Sequence, residues 1–293
     1  MNVHVKGSGS AKQGQSARPP KVNLKAPRVA WWTLGLFVGC VVAWVSLMVM
    51  TLWGVLSLWV GLPLLSIFSF VAFTPMHDAS HRSIARARWV NEVVGRCCAL
   101  LLAAPFPAFR YVHLEHHKHT NHDEKDPDMW SGRGPVWLLP LRWLTQDLHY
   151  YVVYLSNWSK RSKAERWETV LTLCALVTLV GGLLYVGASL FVLCWLCSAR
   201  VGIGILAYSF DYLPHKPHHI TSSEDRYKAT LVRPSPLLTP LFLYQNYHLI
   251  HHLYPGVPFY RYGEIWRAQK DFLIAQGTEV RSLLGQRSTL DRI

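Results

Sequence analysis

The chain has 293 residues, 51% of them hydrophobic, and a formal net charge of +13. An excess of cations is typical of nucleic-acid-binding proteins, but here the charges are segregated from two long apolar runs, which excludes an ordinary soluble domain. Of the 30 Lys and Arg residues, six precede the first run, 13 lie between the runs and ten follow Phe210. Cations accumulate in this way in cytoplasmic loops and near anionic lipid headgroups, so no nucleic-acid partner is required.

Residues 1–28 carry six cations and no acid, together with GSGS and RPPK, which predicts a disordered basic tail. Residues 29–76 and 169–199 then contain no Asp, Glu, Lys or Arg. A spanning helix needs about 20 apolar residues, so each run predicts two spans, with hairpin turns near residues 54–63 and 181–187. The last span is expected to continue past Arg200 to Phe210.

Arg200 is the one cation inside a predicted span. A charge within a membrane is costly and is often functional, for example when it grips a polar group of the substrate or a neighbouring helix end. We favour the simpler interpretation, in which the fourth span begins later and Arg200 snorkels to the interface.

The segments between the spans are predicted to lie at the membrane–water interface. Residues 97–109 are apolar but too short to span, so they are expected to dip into the interface or to pack beneath the site. Residues 134–158 mix Trp and Tyr with Leu and a few charges, which is typical of helices in the headgroup region. The sequence thus predicts an all-α membrane protein with about four transmembrane helices in residues 29–262. Both termini and the histidine-rich cap would be cytoplasmic, and residues 263–293 would form a short cytosolic tail.

Histidines carry the chemical signal of the chain. Of the 15 histidines, 13 fall in four short stretches beyond the apolar runs, and we assign no role to the scattered His4 and His149. Three motifs, HDASH, HLEHH and HLIHH, supply His77, His81, His113, His116, His117, His248, His251 and His252. Residues three or four apart share a helix face, so each motif is expected to aim its nitrogens at one point. Eight imidazoles are too many for one ion and predict two metals.

The ligand type leaves several metals open, since imidazole suits Zn, Cu, Fe and Ni. The motifs contain no Cys, which disfavours copper(I) storage and iron–sulfur clusters. On the residues alone, an oxygen-activating di-iron site is favoured over a di-zinc lipid hydrolase, which would need a water-activating carboxylate. A metal transporter is disfavoured because its ligands would sit at the bilayer midplane, whereas these lie at span ends.

Taken in order, HDASH, HLEHHKH followed by DPD, YLPHKPH, and NYHLIHHLYPGVP resemble the membrane fatty acid desaturase and hydroxylase superfamily. This superfamily includes acyl desaturases, alkane hydroxylases, and carotenoid ketolases and hydroxylases. The resemblance covers residues 29–262, including the layout of two spans plus two. It implies a cytosol-facing, non-haem centre of two Fe ions that uses O₂ and two external electrons to oxidise an unactivated C–H bond.

The resemblance also implies residue roles. The eight motif histidines would be iron ligands, and His215 in LPHKP is the best match for a ninth, ahead of His218 and His219. Nearby residues expected to orient the ligands or to fix imidazole tautomers are Asp78, His119, His122, Asp126, Asp128 and Asp211.

The implied substrate is long and apolar. Fatty acyl desaturation is the first expectation, and the alternative is ring hydroxylation or ketolation of a carotenoid such as β-carotene, because HDASHRS, DPD and YLPHKP resemble that branch too. The chain has no GxGxxG motif after a strand and no cysteine set for an iron–sulfur cluster. We therefore expect a separate, acidic, ferredoxin-like electron carrier with its reductase. The carrier would dock on the basic loops 82–96 and 160–166. The protein itself is expected to be an integral membrane protein, in the inner membrane if bacterial.

Overall fold

The computed structural model describes residues 19–282. His4, residues 1–18 of the predicted basic tail and residues 283–293 of the predicted C-terminal tail lie outside the described residues. The helices are α1 Trp31–Leu52, α2 Leu58–Ser80, α3 Arg88–Leu101, α4 Phe106–His119, α5 Leu139–Leu144, α6 Gln146–Ser156, α7 Lys163–Tyr185, α8 Ser189–Leu206, α9 Leu238–Leu241, α10 His248–Leu253 and α11 Tyr262–Ala275. Two short strands, β1 Leu231–Val232 and β2 Glu279–Val280, pair in parallel.

Four helices are long and apolar enough to cross a membrane, which confirms the predicted spans. They are α1, α2, α7, and α8 with its continuation through Ala207–Tyr212, which is wound as a π-helix. The two hairpin turns fall at residues 53–57 and 186–188. These spans lack charged side chains over most of their length, so their outward faces are suited to contact with lipid rather than with water.

Helix α2 lies at the centre of the span bundle, between α1 and α8. Close approach depends on glycine: a Cβ on Gly61 would overlap the side chain of Thr51 in α1, and one on Gly202 would come within 3.0 Å of Ser69. Small residues permit such contacts between spanning helices. The C-terminal end of α2, which carries the first histidine motif, is therefore held inside the fold.

Helices α3 and α4 form an elbow, with their axes bent by 101° at residues 102–105. The predicted short apolar segment lies at this elbow, and Phe106 and Phe109 pack into the same core as Phe73 and Phe210. The ring of Phe109 also stacks on His113, with 5.5 Å between centroids. The elbow thus packs directly beneath the histidines, one of the two placements that its length predicted.

Parts of both predicted tails pack against the body of the protein. The side-chain amide of Gln269 donates to the carbonyl of Pro20 (3.2 Å), and the backbone of Arg86 donates to that of Arg28 (3.3 Å), so residues 19–28 are tied to the body. Beyond residue 262, α11 buries Tyr262 and Leu273 in one core with α10. Its amphipathic pattern explains why it packs against a ligand-bearing helix.

Candidate metal centre

Three helix ends and one loop bring nine histidines together. The last turn of α2 and the residue that caps it hold His77 and His81. Helix α4 carries His113, His116 and His117, and the six-residue helix α10 carries His248, His251 and His252. His215 follows the π-helical end of the fourth span. His215, which the resemblance ranked first for a ninth ligand, thus lies together with the eight motif histidines.

The nine imidazoles fall into two groups, which we call site 1 and site 2. Site 1 consists of His77, His81, His113, His117 and His251, and site 2 consists of His116, His215, His248 and His252. Within each site the converging ring nitrogens all lie within 4.8 Å of one another. The residues present thus provide two separate multi-imidazole sites, as a pair of metal ions requires.

The partition corrects one expectation, that each motif aims at a single point. In α4, His113 and His117 face site 1 while His116 faces site 2, and in α10 His248 and His252 face site 2 while His251 faces site 1. Each residue turns the helix by about 100°, so positions i and i+4 nearly eclipse, whereas position i+3 points to a different side. Two of the three motifs consequently serve both sites.

The nitrogen positions fit metal ligation better than they fit hydrogen bonding. The Nε2 atom of His117 lies 3.2 Å from that of His113 and 2.7 Å from that of His251. In site 2, Nε2 of His248 lies 2.9 Å from that of His215 and 3.0 Å from that of His252. A neutral ring nitrogen carries either one hydrogen or one lone pair, so it cannot form good hydrogen bonds with two neighbouring nitrogens at once. Two ligand nitrogens that are each about 2.1 Å from a metal and at right angles to one another are about 3 Å apart, as observed here.

Burial keeps most of these rings neutral. It lowers the pKa of His81 to about 3, and the pKa values of His113, His117, His251 and His252 fall well below the usual range for the same reason, with help from neighbouring rings. A neutral imidazole keeps the lone pair that a metal needs. Near pH 7 the sites therefore present donor atoms rather than a repelling cluster of cations.

His116 is the exception, because carboxylates face its outer nitrogen. Its Nδ1 lies 2.8 Å from Oδ1 of Asp126 and 3.2 Å from Oδ2 of Asp128. Burial lowers the pKa of His116, but the two carboxylates outweigh burial and raise it to about 9. They hold a proton on Nδ1, so Nε2 faces site 2 and is the nitrogen from which a bound metal would displace the other proton. Asp126 and Asp128 thus lie where they can orient this imidazole.

A tyrosine connects this pair to a third predicted acid. The hydroxyl of Tyr150 donates to Oδ1 of Asp128 (2.6 Å) and lies 3.3 Å from Oδ2 of Asp211. Burial raises the pKa of Asp128 to about 6. Asp211 is thus linked to His116 through Tyr150 and Asp128.

Asp78 does not orient a ligand in the way that was predicted. Its Oδ1 lies 3.9 Å from Nδ1 of His77, beyond hydrogen-bond distance. Its Oδ2 accepts from the hydroxyl of Thr33 (2.9 Å) and from the backbone N–H of Phe259 (3.3 Å). Asp78 instead ties α1 and the segment before α11 to the end of α2.

His119 and His122 also lie apart from both sites. Their rings are 6.2 Å from one another, and His119 lies 3.6 Å from the carboxylate of Glu115. Neither ring has a hydrogen bond to a predicted ligand in the described part of the chain. His149 stacks on Trp130 at 4.7 Å, away from the two sites, in line with its lack of an assigned role.

Two orienting residues escaped the sequence interpretation. The hydroxyl of Tyr262 lies 3.1 Å from Nδ1 of His251, and Oγ1 of Thr120 lies 3.4 Å from Nδ1 of His252. Thr120 directly follows the second histidine motif, which was a usable hint. Tyr262 contacts His251 because α11 packs on α10, and no local sequence pattern predicts that contact.

An apolar cavity leads to the sites from the bundle. It is lined at its inner end by Phe73, Met76 and Phe109, beside the rings of the first and second motifs. Toward its other end it meets Gln146 and Tyr151 of α6. A mostly apolar lining with a few polar groups is typical of a ligand site.

Arg200 lies near the outer end of this cavity and corrects another expectation. Helix α8 begins at Ser189, so the fourth span does not start late. The guanidinium donates to the carbonyl of Leu144 (2.7 Å) and to the carboxylate of Asp147, a residue that lines the cavity. Arg200 thus grips the junction of α5 and α6, which was the alternative interpretation.

Comparison with known proteins agrees with this architecture. The family model described as fatty acid desaturase matches residues 53–283. The chain is 27% identical to an sn-1 oleoyl-lipid 12-desaturase of Synechocystis sp. over 69% of its length and 66% of the relative's, and 24% identical to its Anabaena variabilis counterpart, of which it covers 53%. The chain thus spans about half to two thirds of the length of these desaturases.

A beta-carotene ketolase of Paracoccus sp. is 32% identical over 78% of the chain and 89% of the relative. Residues 53–283, which the family model matches, contain all nine histidines of the two sites and the spans α2, α7 and α8. The chain therefore belongs to the fatty acid desaturase family.

Proposed function

We propose that the protein is a membrane oxidoreductase that oxidises C–H bonds of a long apolar lipid at two iron ions, with O₂ as co-substrate. The observation that carries the proposal is the pair of multi-imidazole sites at the inner end of an apolar cavity. A cavity walled by spanning helices suits a substrate that arrives from lipid. The bound irons would supply the redox chemistry with O₂ and two external electrons.

The residues of the chain have three tasks in this proposal. His77, His81, His113, His117 and His251 would hold one iron, and His116, His215, His248 and His252 the other. Asp126 and Asp128 hold a proton on Nδ1 of His116, so that its Nε2 faces the site and would release its own proton to bind metal. The apolar walls at Phe73 and Phe109 would hold the chain of the substrate and exclude water from the reacting carbon.

A di-zinc hydrolase is less well supported. Its base would have to reach a water molecule bound between the metals. Among the described residues, the carboxylates of Asp126 and Asp128 approach the outer nitrogen of His116 rather than its site-facing nitrogen. A transporter role is disfavoured as well, because His81, His113 and His248 lie beyond the ends of the four spans.

Fatty acyl desaturation is the first candidate reaction. It is supported by the family match and by the two oleoyl-lipid desaturases among the relatives. An acyl chain fits a narrow apolar cavity whose lining includes Phe73, Ile203 and Leu206.

Oxidation of a carotenoid ring is the second candidate, and a specific observation favours it. The Paracoccus ketolase is more similar to this chain than the desaturases are, at 32% against 27% and 24% identity, and the alignment covers 89% of its length. A carotenoid is also a long apolar lipid, so both candidates use the same two sites and the same cavity.

The deciding experiment has two measurements. Elemental analysis of the purified full chain should give about two irons per chain, and zinc alone in an active preparation would contradict the iron assignment. Lipid extracts from a host with and without β-carotene should then be compared by mass spectrometry. New double bonds in acyl chains support the first candidate, and hydroxyl or keto products of β-carotene support the second.

Electrons would come from a separate acidic carrier that docks on a basic face. Arg96 is already paired with Glu92 (2.6 Å) and Glu168 (2.7 Å). In the described part of the chain, Arg86 and Lys163 have no carboxylate partner within 4 Å, which makes them the better docking candidates in the two basic loops. NADH with a reductase and a ferredoxin-like carrier should support turnover, NADH alone should not, and added salt should slow the reaction.

The proposed orientation places both termini and the two sites in the cytoplasm. A reporter fused after Ile293 should be active only in its cytoplasmic form. Activity in the external compartment would contradict this orientation.

A further inference from the structure

A second, polar pocket borders site 2. It encloses about 570 Å³, and its lining includes Asn121, His215, His218, His219 and Thr230. The apolar cavity described above has no histidine in its lining. The polar pocket therefore offers a route of different character to the same centre.

Four polar atoms of this lining are buried and have no hydrogen-bond partner among the described residues. They are Oδ1 of Asn121, Nδ1 of His215, Nε2 of His218 and Oγ1 of Thr230. Asn121, His215 and Thr230 are only 5%, 3% and 2% exposed. Buried polar atoms without partners are costly and rare, so four of them in one pocket point to a polar occupant.

His215 forms the wall between this pocket and site 2. Its Nε2 lies 2.9 Å from that of His248, while its Nδ1 has no partner. By contrast, Asp126 and Tyr262 hold the outer nitrogens of His116 and His251. Two other ligands, His77 and His248, also have a free Nδ1, but neither of them lines the pocket. His215 is thus the predicted ligand that lines the polar pocket and whose outer nitrogen no other described residue holds.

We infer that the polar pocket is the entry route by which metal ions reach the two sites. This inference rests on the proposed metal centre and adds how that centre is filled. Metal sites with buried ligands need an entry path, and an apolar cavity cannot serve because a cation would lose its hydration there without compensation. The exposed His219 and the half-buried His218 take up the hydrated ion, and the unrestrained ring of His215 receives it.

The charged side chains of the pocket are mostly paired, which limits the repulsion of an entering cation. Of its two lysines, Lys228 lies 2.7 Å from the carboxylate of Asp225, and the carboxylate of Glu279 at the lining lies 2.8 Å from Arg281. The hydroxyl of Thr230 and the amide oxygen of Asn121 are positioned to bind the waters that the ion carries. The nitrogen donors His218 and His219 belong to the LPHKPHH segment and have no place in either site.

The test measures metal uptake rather than turnover. The full chain, purified in detergent and stripped with a chelator, is mixed with Co²⁺, and binding is followed by optical absorption. We expect the double variant His218→Ala/His219→Ala to load about tenfold more slowly than the wild type, because it lacks the donors that first capture the ion and raise its local concentration. Its final metal content should be unchanged.

Thr230→Val provides a second variant that keeps the fold, because the Oγ1 that it removes makes no hydrogen bond in the described residues. It should slow loading in the same direction. The matched control is His119→Ala/His122→Ala, which removes two imidazoles outside the pocket and should load at the wild-type rate.

Each outcome decides the inference. Equal loading rates for wild type and both pocket variants would overturn it while leaving the metal centre intact. A lower final metal content in His218→Ala/His219→Ala would overturn it too, since those residues would then be resident ligands. A wild type that takes up no metal would overturn the proposed centre together with its entry route.

Discussion

The carboxylate behind His116 offers the sharpest test of how site 2 is organised. Replacing Asp126 with Asn removes the charged acceptor that lies 2.8 Å from Nδ1 of His116. A hydrogen bond to a charged group contributes about 1.5–3 kcal/mol, equivalent to roughly 10–100-fold in binding. The Oδ2 atom of Asp128 remains 3.2 Å from the same nitrogen, so we expect the lower end, about tenfold weaker metal binding.

The assay is competition with a chelator of known affinity, followed by elemental analysis, so that metal affinity is measured separately from turnover. The double variant Asp126→Asn/Asp128→Asn should bind metal more weakly than either single variant, because no charged acceptor then remains on Nδ1 of His116. Asp78→Asn is the matched control, since Asp78 is equally buried but bonds Thr33 and Phe259 instead of a ligand. Unchanged metal affinity in Asp126→Asn, or an equal loss in Asp78→Asn, would refute the reasoning.

Three further predictions follow from the same geometry. His251→Ala should abolish turnover and reduce metal content while His149→Ala leaves both unchanged, and comparable losses at both positions would contradict the assignment of site 1. The folded pKa of His81, about 3, lies below its ordinary value of 6.5, so the metal-free protein should lose stability as the pH falls from 6.5 toward 3, seen as a lower melting temperature at pH 5 than at pH 7. Arg200→Leu removes the hydrogen bonds to Leu144 and Asp147 and should increase hydrogen exchange in α5 and α6. Unchanged exchange would show that these bonds do not stabilise the two helices.

The sequence predicted what depends on periodicity and charge. Residues 29–76 and 169–199 lack charges, so the four spans could be located, and the spacing of the histidines predicted two metal positions. The role of Asp126 was also accessible, because an acid ten residues beyond His116 in a DPD loop can fold back on α4.

What the sequence could not predict depends on tertiary packing. Asp78 follows His77 directly, yet neighbours on a helix point about 100° apart, so adjacency did not bring the carboxylate to the ring. The contact of Tyr262 with His251 requires α11 to dock on α10, and the separation of 83 residues hides the link between Asp128 and Asp211 through Tyr150. The prediction for Arg200 was wrong because its partner Asp147 lies in a separate helix, α6.

The interleaving of the two sites along α4 and α10 has a mechanical consequence. Each helix is rigid and contributes rings to both sites, so a metal bound in one site fixes the orientation of the rings that face the other. His113 and His117 cannot be ordered by one ion without also setting the angle of His116. The second ion should therefore bind more tightly than the first, and partially filled preparations should contain mainly empty and doubly loaded chains, with few chains that carry a single ion.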